Sequence, residues 1–263
     1  MIKEKLNKRL SVKQFHLIKR AYLWMFTIPF VFDMNKLSSI YKSDKWGNHS
    51  YTKHYQTHFK KFKFKKIKLL EIGVGGYHLP NIGGNSLRMW KRYFPFGRIY
   101  SLDIYDKSLL QENRIKIFQG SQVDEVILEK IINHIGEPDL IIDDGSHINE
   151  HVIKTFQLLF PKLRTGGIYV IEDTETSYWP DYGGDSENLD NPLTMMNFFK
   201  SFTDSLNHQE FIKKDYSPSY YDKNICSIQF YHNLIFIFKG LNNESSNIDP
   251  DNPDSILADK ILI

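Results

Sequence analysis

The sequence predicts an α/β fold in which a mostly parallel sheet carries helices on both faces and finishes in an antiparallel hairpin. Three observations predict it. From Ile67 onward, short apolar runs alternate with helix-length segments, the pattern of parallel strands buried on both faces. Several of these runs end in acidic residues or glycines, at the edge where α/β sheets bind ligands. Near the end of the chain, two further runs flank a tight turn.

Taken in order, residues 1–66 read as a basic helical extension, 67–240 as the α/β domain and 241–263 as a polar tail. Strands are predicted at Ile67–Ile72, Arg98–Asp103, Ile115–Gln119, Leu140–Asp144 and Gly167–Glu172. Helices are predicted between them at Ser86–Tyr93, Val123–His134 and Glu150–Pro161. Ser227–Tyr231 and Leu234–Phe238 form the closing hairpin. Leu241–Ser255 is rich in turn residues and reads as a mobile tail.

Composition narrows the class. With 263 residues, 41% hydrophobic and 25% charged, the chain suits an ordinary globular domain rather than a disordered or fibrous one. Its single cysteine excludes an intramolecular disulfide framework and multi-cysteine metal sites, and suits a reducing, cytoplasmic setting. Any metal must therefore sit on oxygen or imidazole ligands.

The net charge of +3 hides an asymmetry. Residues 1–68 hold 17 Lys/Arg against 3 Asp/Glu, whereas residues 69–263 hold 17 against 28. Within the basic part, Ala21–Phe32 is apolar for 12 residues, too short to span a bilayer, which needs about 20. Phe32-Asp33-Met34 lacks a small-residue cleavage site. The stretch reads as a helix packing on the body or as an interfacial anchor, ended or kinked by Pro29. The lysine and aromatic run from Lys60 to Lys68 reads as a solvated connector, a contact with anionic membrane, or an RNA contact. His49, His54 and His58 read as surface or packing residues, and Tyr51 and Tyr55 as helix packing.

Three motifs carry chemistry. In Leu69-Leu70-Glu71-Ile72-Gly73-Val74-Gly75-Gly76-Tyr77, a strand ends in an acidic residue and a glycine cluster, which admits a nucleotide-like ligand to the backbone. The third glycine of the dinucleotide fingerprint would fall at His78, so that pattern fails. Glu71 instead suits a positively charged ligand such as the methionyl end of S-adenosylmethionine. The insert Tyr77–Asn85, with Gly83 and Gly84 as hinges, would fold over the ligand. The second motif is Asp103, at the end of the second strand, which would accept both ribose hydroxyls of an adenosine or cap a helix.

The third motif combines Asp143-Asp144-Gly145-Ser146-His147 with Ile171-Glu172-Asp173. Neighbouring strand ends would bring Asp144, Glu172 and Asp173 together, and three carboxylates in one place suit magnesium, with manganese as a substitute. His147 would serve as a general base beside the metal. The alternative is a helix-capping histidine beside solvated acidic residues.

These motifs, with Gly83–Lys91, Asp103–Ser108 and Tyr178–Gly184, resemble the metal-dependent sugar O-methyltransferases, which are Rossmann-like class I S-adenosylmethionine-dependent enzymes. The macrocin, mycinamicin and tetracenomycin-rhamnosyl enzymes are the nearest type. The resemblance runs from about Ser43 to Gly240. It implies cofactor contacts at Ser43, Glu71, Gly73, Gly75, Gly76, Tyr77, Ser86, Asp103, Gly120, Ser121 and Asp143. It implies metal ligands at Asp144, Glu172 and Asp173, a base at His147 and an acceptor wall containing Tyr178, Trp179 and Tyr182. The acceptor would be a sugar on a glycan, glycolipid or glycosylated metabolite. A catechol-type enzyme acting on a phenolic diol is the alternative, a homo-oligomer is expected, and no nucleic-acid partner is expected.

Overall fold

The computed structural model describes Ile18, residues 21–213 and residues 215–246. The rest of the basic N-terminal segment and of the polar tail lies outside the described residues. Seven strands form one sheet in the order β3-β2-β1-β4-β5-β7-β6. They are β1 (Lys68–Ile72), β2 (Arg98–Asp103), β3 (Ile115–Gln119), β4 (Leu140–Asp143), β5 (Ile168–Glu172), β6 (Ile225–Tyr231) and β7 (Leu234–Lys239). β1, β4 and β5 pair in parallel, while β7 is antiparallel to both β5 and β6. The predicted strands and closing hairpin are therefore present, with ends within one or two residues.

The chain divides into two compact units, Met1–Ile67 with Val74–Ser101 and Tyr105–Gln119, and Lys68–Gly73 with Leu102–Ile104 and Gly120–Ile263. In the first unit, a helical stretch over residues 21–26 leads to a 3-10 turn at Ile28–Phe30, where Pro29 ends the helix as predicted. Helices α1 (Met34–Tyr41), α2 (Thr52–Phe59) and α3 (Asn85–Tyr93) follow. Asp33 starts α1 by accepting the Lys36 N–H at 3.0 Å. Tyr55 and Phe59 of α2 pack on Trp90 of α3 with ring centroids 4.9 and 5.8 Å apart. Tyr51 and Tyr55 are buried, so both are packing residues, as the four-residue spacing predicts.

Lys63 shapes this unit. Its ammonium donates to the Val31 carbonyl and lies 4.5 Å over the Phe32 ring and 3.9 Å over that of Tyr93. Burial, with help from the Arg92 charge, pulls its pKa down to about 8. The folded pKa lies below the usual 10.5, so the unfolded chain binds more protons between those values and stability rises with pH there. Burial raises the Tyr93 pKa to about 12, and this opposes the gain above its ordinary value of 10. The urea midpoint is therefore expected to rise between pH 8 and 10, by up to about 2 kcal/mol in stability. Lys63→Met should flatten that rise, and an unchanged slope in the variant would remove Lys63 as its source.

The second unit holds α4 (Glu125–Ile135), α5 (Asn149–Leu159), α6 (Met195–Lys200), α7 (Phe202–Ser205) and α8 (Tyr220–Asn224). Asp124 caps α4 by accepting the Ile127 N–H. The three short helices after Gly184 fall in a stretch without a clear periodic signal. They are held by aromatic packing, with Phe156 of α5 5.0 Å from Phe199, 5.6 Å from Phe202 and 5.6 Å from Tyr221. Asn242, at the start of the polar tail, donates to the Asp222 carbonyl at 2.9 Å, so the tail begins as an anchored segment.

Candidate active site

Strand register aligns the acidic residues of the second unit. Ile72 lies opposite Asp143, and Asp143 opposite Ile171, so Gly73, Asp144 and Glu172 stand one step further along at the same carboxyl edge. The Asp144 N–H donates to the Ile72 carbonyl at 3.0 Å, the Gly73 N–H to Leu102 at 2.8 Å and the Gly120 N–H to Asp103 at 2.9 Å. Gly73 is required by this closeness. A Cβ there would fall 2.0 Å from the Asp144 carbonyl oxygen, and its φ of +94° disfavours any side chain. Glu71 is fully buried. Gly120 also has positive φ, and a Cβ would come 2.7 Å from Ile127.

Asp144, His147 and Asp173 converge, with one ligand atom of each within 4.8 Å of the others. His147 Nε2 is 4.0 Å from Asp144 Oδ1 and 3.7 Å from Asp173 Oδ2. The two aspartate carboxylates are hard oxygen donors that fit magnesium or manganese, and the imidazole, a softer donor, stands beside them as a base. Glu172 is 3% exposed at the end of β5 and lies outside this three-residue group. The predicted acidic cluster thus has two carboxylates facing a histidine, with the third buried beside them in sequence.

The backbone at this point is unusual. His147 has φ 57° and Asp173 φ 53°, left-handed values that cost energy outside glycine and cluster at functional sites. Thr176 Oγ1 lies 2.8 Å from the His147 carbonyl and 3.1 Å from that of Asp173. Its single hydroxyl hydrogen is shared between the two strained residues. Nothing in the sequence singles out Thr176 for this position.

Gln122 was also invisible in the sequence. It accepts the Ser146 N–H at 2.8 Å and donates to Asp143 at 3.2 Å and to Thr155 at 3.0 Å. It holds the Asp144–His147 turn against α5. A Cβ on Gly145 would approach the Gln122 Oε1 to 2.3 Å. Asp143 is buried, which with the neighbouring Asp144 charge pushes its carboxyl up to about 7, against the pull of Gln122.

The aromatic segment after β5 is anchored rather than free. Asn149 donates to the Thr176 carbonyl at 3.0 Å and the Tyr182 carbonyl at 2.9 Å, and accepts the Met195 N–H at 2.6 Å. Tyr178 and Trp179 are 39% and 49% exposed, and the Trp179 and Tyr182 rings are 5.9 Å apart. Asn149→Ala would strand three polar groups, two of them in buried bonds, and is expected to cost about 2–4 kcal/mol. Chemical denaturation measures this, and a loss below about 1 kcal/mol, the worth of one ordinary hydrogen bond, would refute the clamp.

Of the remaining predicted cofactor residues, Ser121 follows Gly120 in the second unit and is half-buried, and the others lie in the first unit. Gly75, Gly76 and Tyr77 all have positive φ, and Tyr77 is 84% exposed. Ser86 is in the first turn of α3. Ser43 is buried, and its hydroxyl has no hydrogen-bond partner among the described residues. Gly83 and Gly84 bring the insert close against the Val74–Gly75 backbone. The Gly84 N–H donates to the Val74 carbonyl at 2.7 Å, and a Cβ on Gly83 would meet the Gly75 oxygen at 2.3 Å. The buried Lys107 ammonium donates to the Leu79 and Ile82 carbonyls, which fastens the insert a third time. His49 stacks on Tyr51 at 4.7 Å, and among the described residues no metal-type cluster includes His49, His54 or His58.

A parallel sheet closed by an antiparallel strand pair, with acidic residues and glycines at the carboxyl ends, is the class I methyltransferase fold. Residues 98–223 match the family model described as Rhamnosyl O-methyltransferase/CmcI, and the chain is similar to sugar O-methyltransferases. It is 49% identical over 214 residues to the demethylmacrocin O-methyltransferase of Streptomyces fradiae, covering 81% of this chain and 54% of that protein. It is 47% identical to the mycinamicin VI 2''-O-methyltransferase of Micromonospora griseorubida, with the same coverages. The MycE methyltransferase of the mycinamycin pathway, solved with Mg and SAH, matches with TM-score 0.81 and 45% identity over 86% of this chain and 60% of that one. The chain spans about half the length of the curated relatives it matches.

Proposed function

We propose that this protein is an S-adenosylmethionine- and magnesium-dependent O-methyltransferase acting on a sugar hydroxyl, with His147 as general base. The observation that carries the reading is the convergence of Asp144, His147 and Asp173 at the carboxyl edge of the sheet, in a chain similar to MycE. In that reading 67–240 is the methyltransferase domain, preceded by a basic extension and followed by a polar tail. Asp144 and Asp173, with Glu172 beside them, would hold the cation. The buried Glu71 suits a cationic amino-acid end of the cofactor, and Asp103 its ribose. The acceptor carries its sugar on a glycan, glycolipid or glycosylated metabolite, and the exposed, reduced thiol of Cys226 suits the cytoplasm.

A sugar hydroxyl holds its proton about as tightly as bulk water, whose pKa is about 15.7. A divalent cation in this donor set would supply Lewis-acid charge that makes a nearby hydroxyl more acidic. His147, fixed by its left-handed backbone and by Thr176, would take the proton as the oxygen–carbon bond forms and the carbon–sulfur bond of the donor breaks. Tyr178, Trp179 and Tyr182 would offer ring faces to the apolar side of the sugar, and Asn149 would hold them so that oxygen, carbon and sulfur align.

The test is methyl transfer from labelled S-adenosylmethionine to a panel of deoxysugar glycosides, nucleotide sugars and catechols. Transfer to sugars, abolished by a chelator and restored by Mg or Mn, is expected. S-adenosylhomocysteine should raise the melting temperature and NAD should not. Transfer to catechols but to no sugar would overturn the acceptor assignment, and chelator-resistant transfer would overturn the metal assignment.

A further inference from the structure

The segment 21–32 of the first unit is built inside out. Its buried residue is Thr27, whose hydroxyl donates to the Leu23 carbonyl at 2.7 Å and accepts from Arg92 Nε at 2.7 Å. Its large apolar residues face water instead, with Tyr22, Trp24, Met25, Phe26, Ile28 and Phe32 between 48% and 63% exposed. An ordinary surface helix turns such residues inward, and a contiguous apolar patch on this scale marks an interaction surface.

The segment is also held in this orientation. The Arg92 guanidinium lies 5.0 Å over the Trp24 ring, and Lys63 ties down Val31 and Phe32. Phe32 meets the exposed Phe64 at 6.0 Å, which joins the apolar face to the lysine run. Lys60, Lys61, Lys65 and Lys66 are all exposed around Phe64. Across residues 21–67 seven lysines are exposed, against two aspartates, while Lys45 and Lys63 are buried. The face therefore combines exposed Trp, Tyr, Phe and Met side chains with a dense positive rim.

We propose that this face docks on the surface of an anionic lipid bilayer. Tyrosine and tryptophan, apolar in body and polar at the tip, suit the headgroup boundary, and lysines beside it meet the negative surface potential of anionic lipids. No helix among the described residues is long and apolar enough to cross a membrane, so the contact is a shallow one. An interface with a second copy would be expected to deplete lysine. RNA would engage the lysines and stack on rings, but it leaves Met25 and Ile28 without a role. The proposal rests on the first unit alone and is independent of the catalytic reading.

The full chain is sedimented with vesicles of phosphatidylcholine alone and with vesicles that also contain phosphatidylglycerol. Association about tenfold or more stronger with the anionic vesicles, weakening as salt rises, is expected from a polybasic apolar face. Trp24 emission should shift to the blue, and Trp24→Phe should remove that shift but retain binding. The pair Trp24→Ser with Phe26→Ser, and separately the pair Lys60→Glu with Lys61→Glu, should each lose vesicle binding while keeping stabilisation by S-adenosylhomocysteine. Absence of binding by the unaltered chain, or full binding by both paired variants, overturns the proposal. A dimer that the aromatic pair converts to monomer identifies the face as a self-interface and overturns it too. So does RNA binding that displaces the chain from vesicles and depends on the lysines alone.

Discussion

Replacing His147 by alanine should leave S-adenosylhomocysteine binding intact and slow methyl transfer by about 10²-fold or more, the scale of one acid–base group. The imidazole is the only group among the described residues of the converging set that can take a proton at neutral pH and still leave two carboxylates for the cation. Alanine introduces a second change, because residue 147 has φ 57° and alanine tolerates the left-handed region poorly. His147→Asn separates the two, since asparagine accepts that backbone readily but cannot act as a base. Both variants should lose single-turnover transfer, and only alanine should also lower the melting temperature. Normal turnover in either, on an acceptor the parent methylates, removes the assigned role.

Gly73→Ala is expected to have the largest structural effect of any single methyl group in the second unit. The new Cβ would stand 2.0 Å from the Asp144 carbonyl oxygen, and Asp144 cannot easily retreat because its own N–H is bonded to Ile72. Backbone strain and overpacking together should lower the melting temperature by about 5–15 °C and weaken S-adenosylhomocysteine binding, since the displaced edge carries the site. Gly75→Ala is the control. Its φ is also positive, but nothing lies within 4 Å of its Cβ position, so it should show strain without collision and a smaller loss. Equal losses in the two variants would mean that close approach at Gly73 is not what demands glycine.

Much of the site was legible before the fold was known. Strand ends are marked by a change from apolar to acidic or glycine residues, and parallel neighbours end together, so Asp144 and Asp173 could be brought to one edge from the sequence. The same reasoning made Gly83 and Gly84 hinges, because glycine signals an unusual backbone without saying whether that backbone moves. In the fold these glycines permit a close approach, and the segment between them and Tyr77 is fastened by Lys107.

The sequence by itself determined the α/β class, the positions of the strands along the chain and the acidic residues that close them, since these follow from local periodicity and residue type. The tertiary structure alone decided how the donors are held. The Thr176 hydroxyl shared with His147 spans 29 residues, and the Asn149 bond to Met195 spans 46, and no local pattern encodes a partner at such a distance. It also decided which way the apolar segment 21–32 faces. A run apolar on nearly every side has no preferred direction of burial, and contacts distant in sequence, among them the Arg92 bond to Thr27 and the Lys63 bond to Val31, turn its aromatic residues toward water.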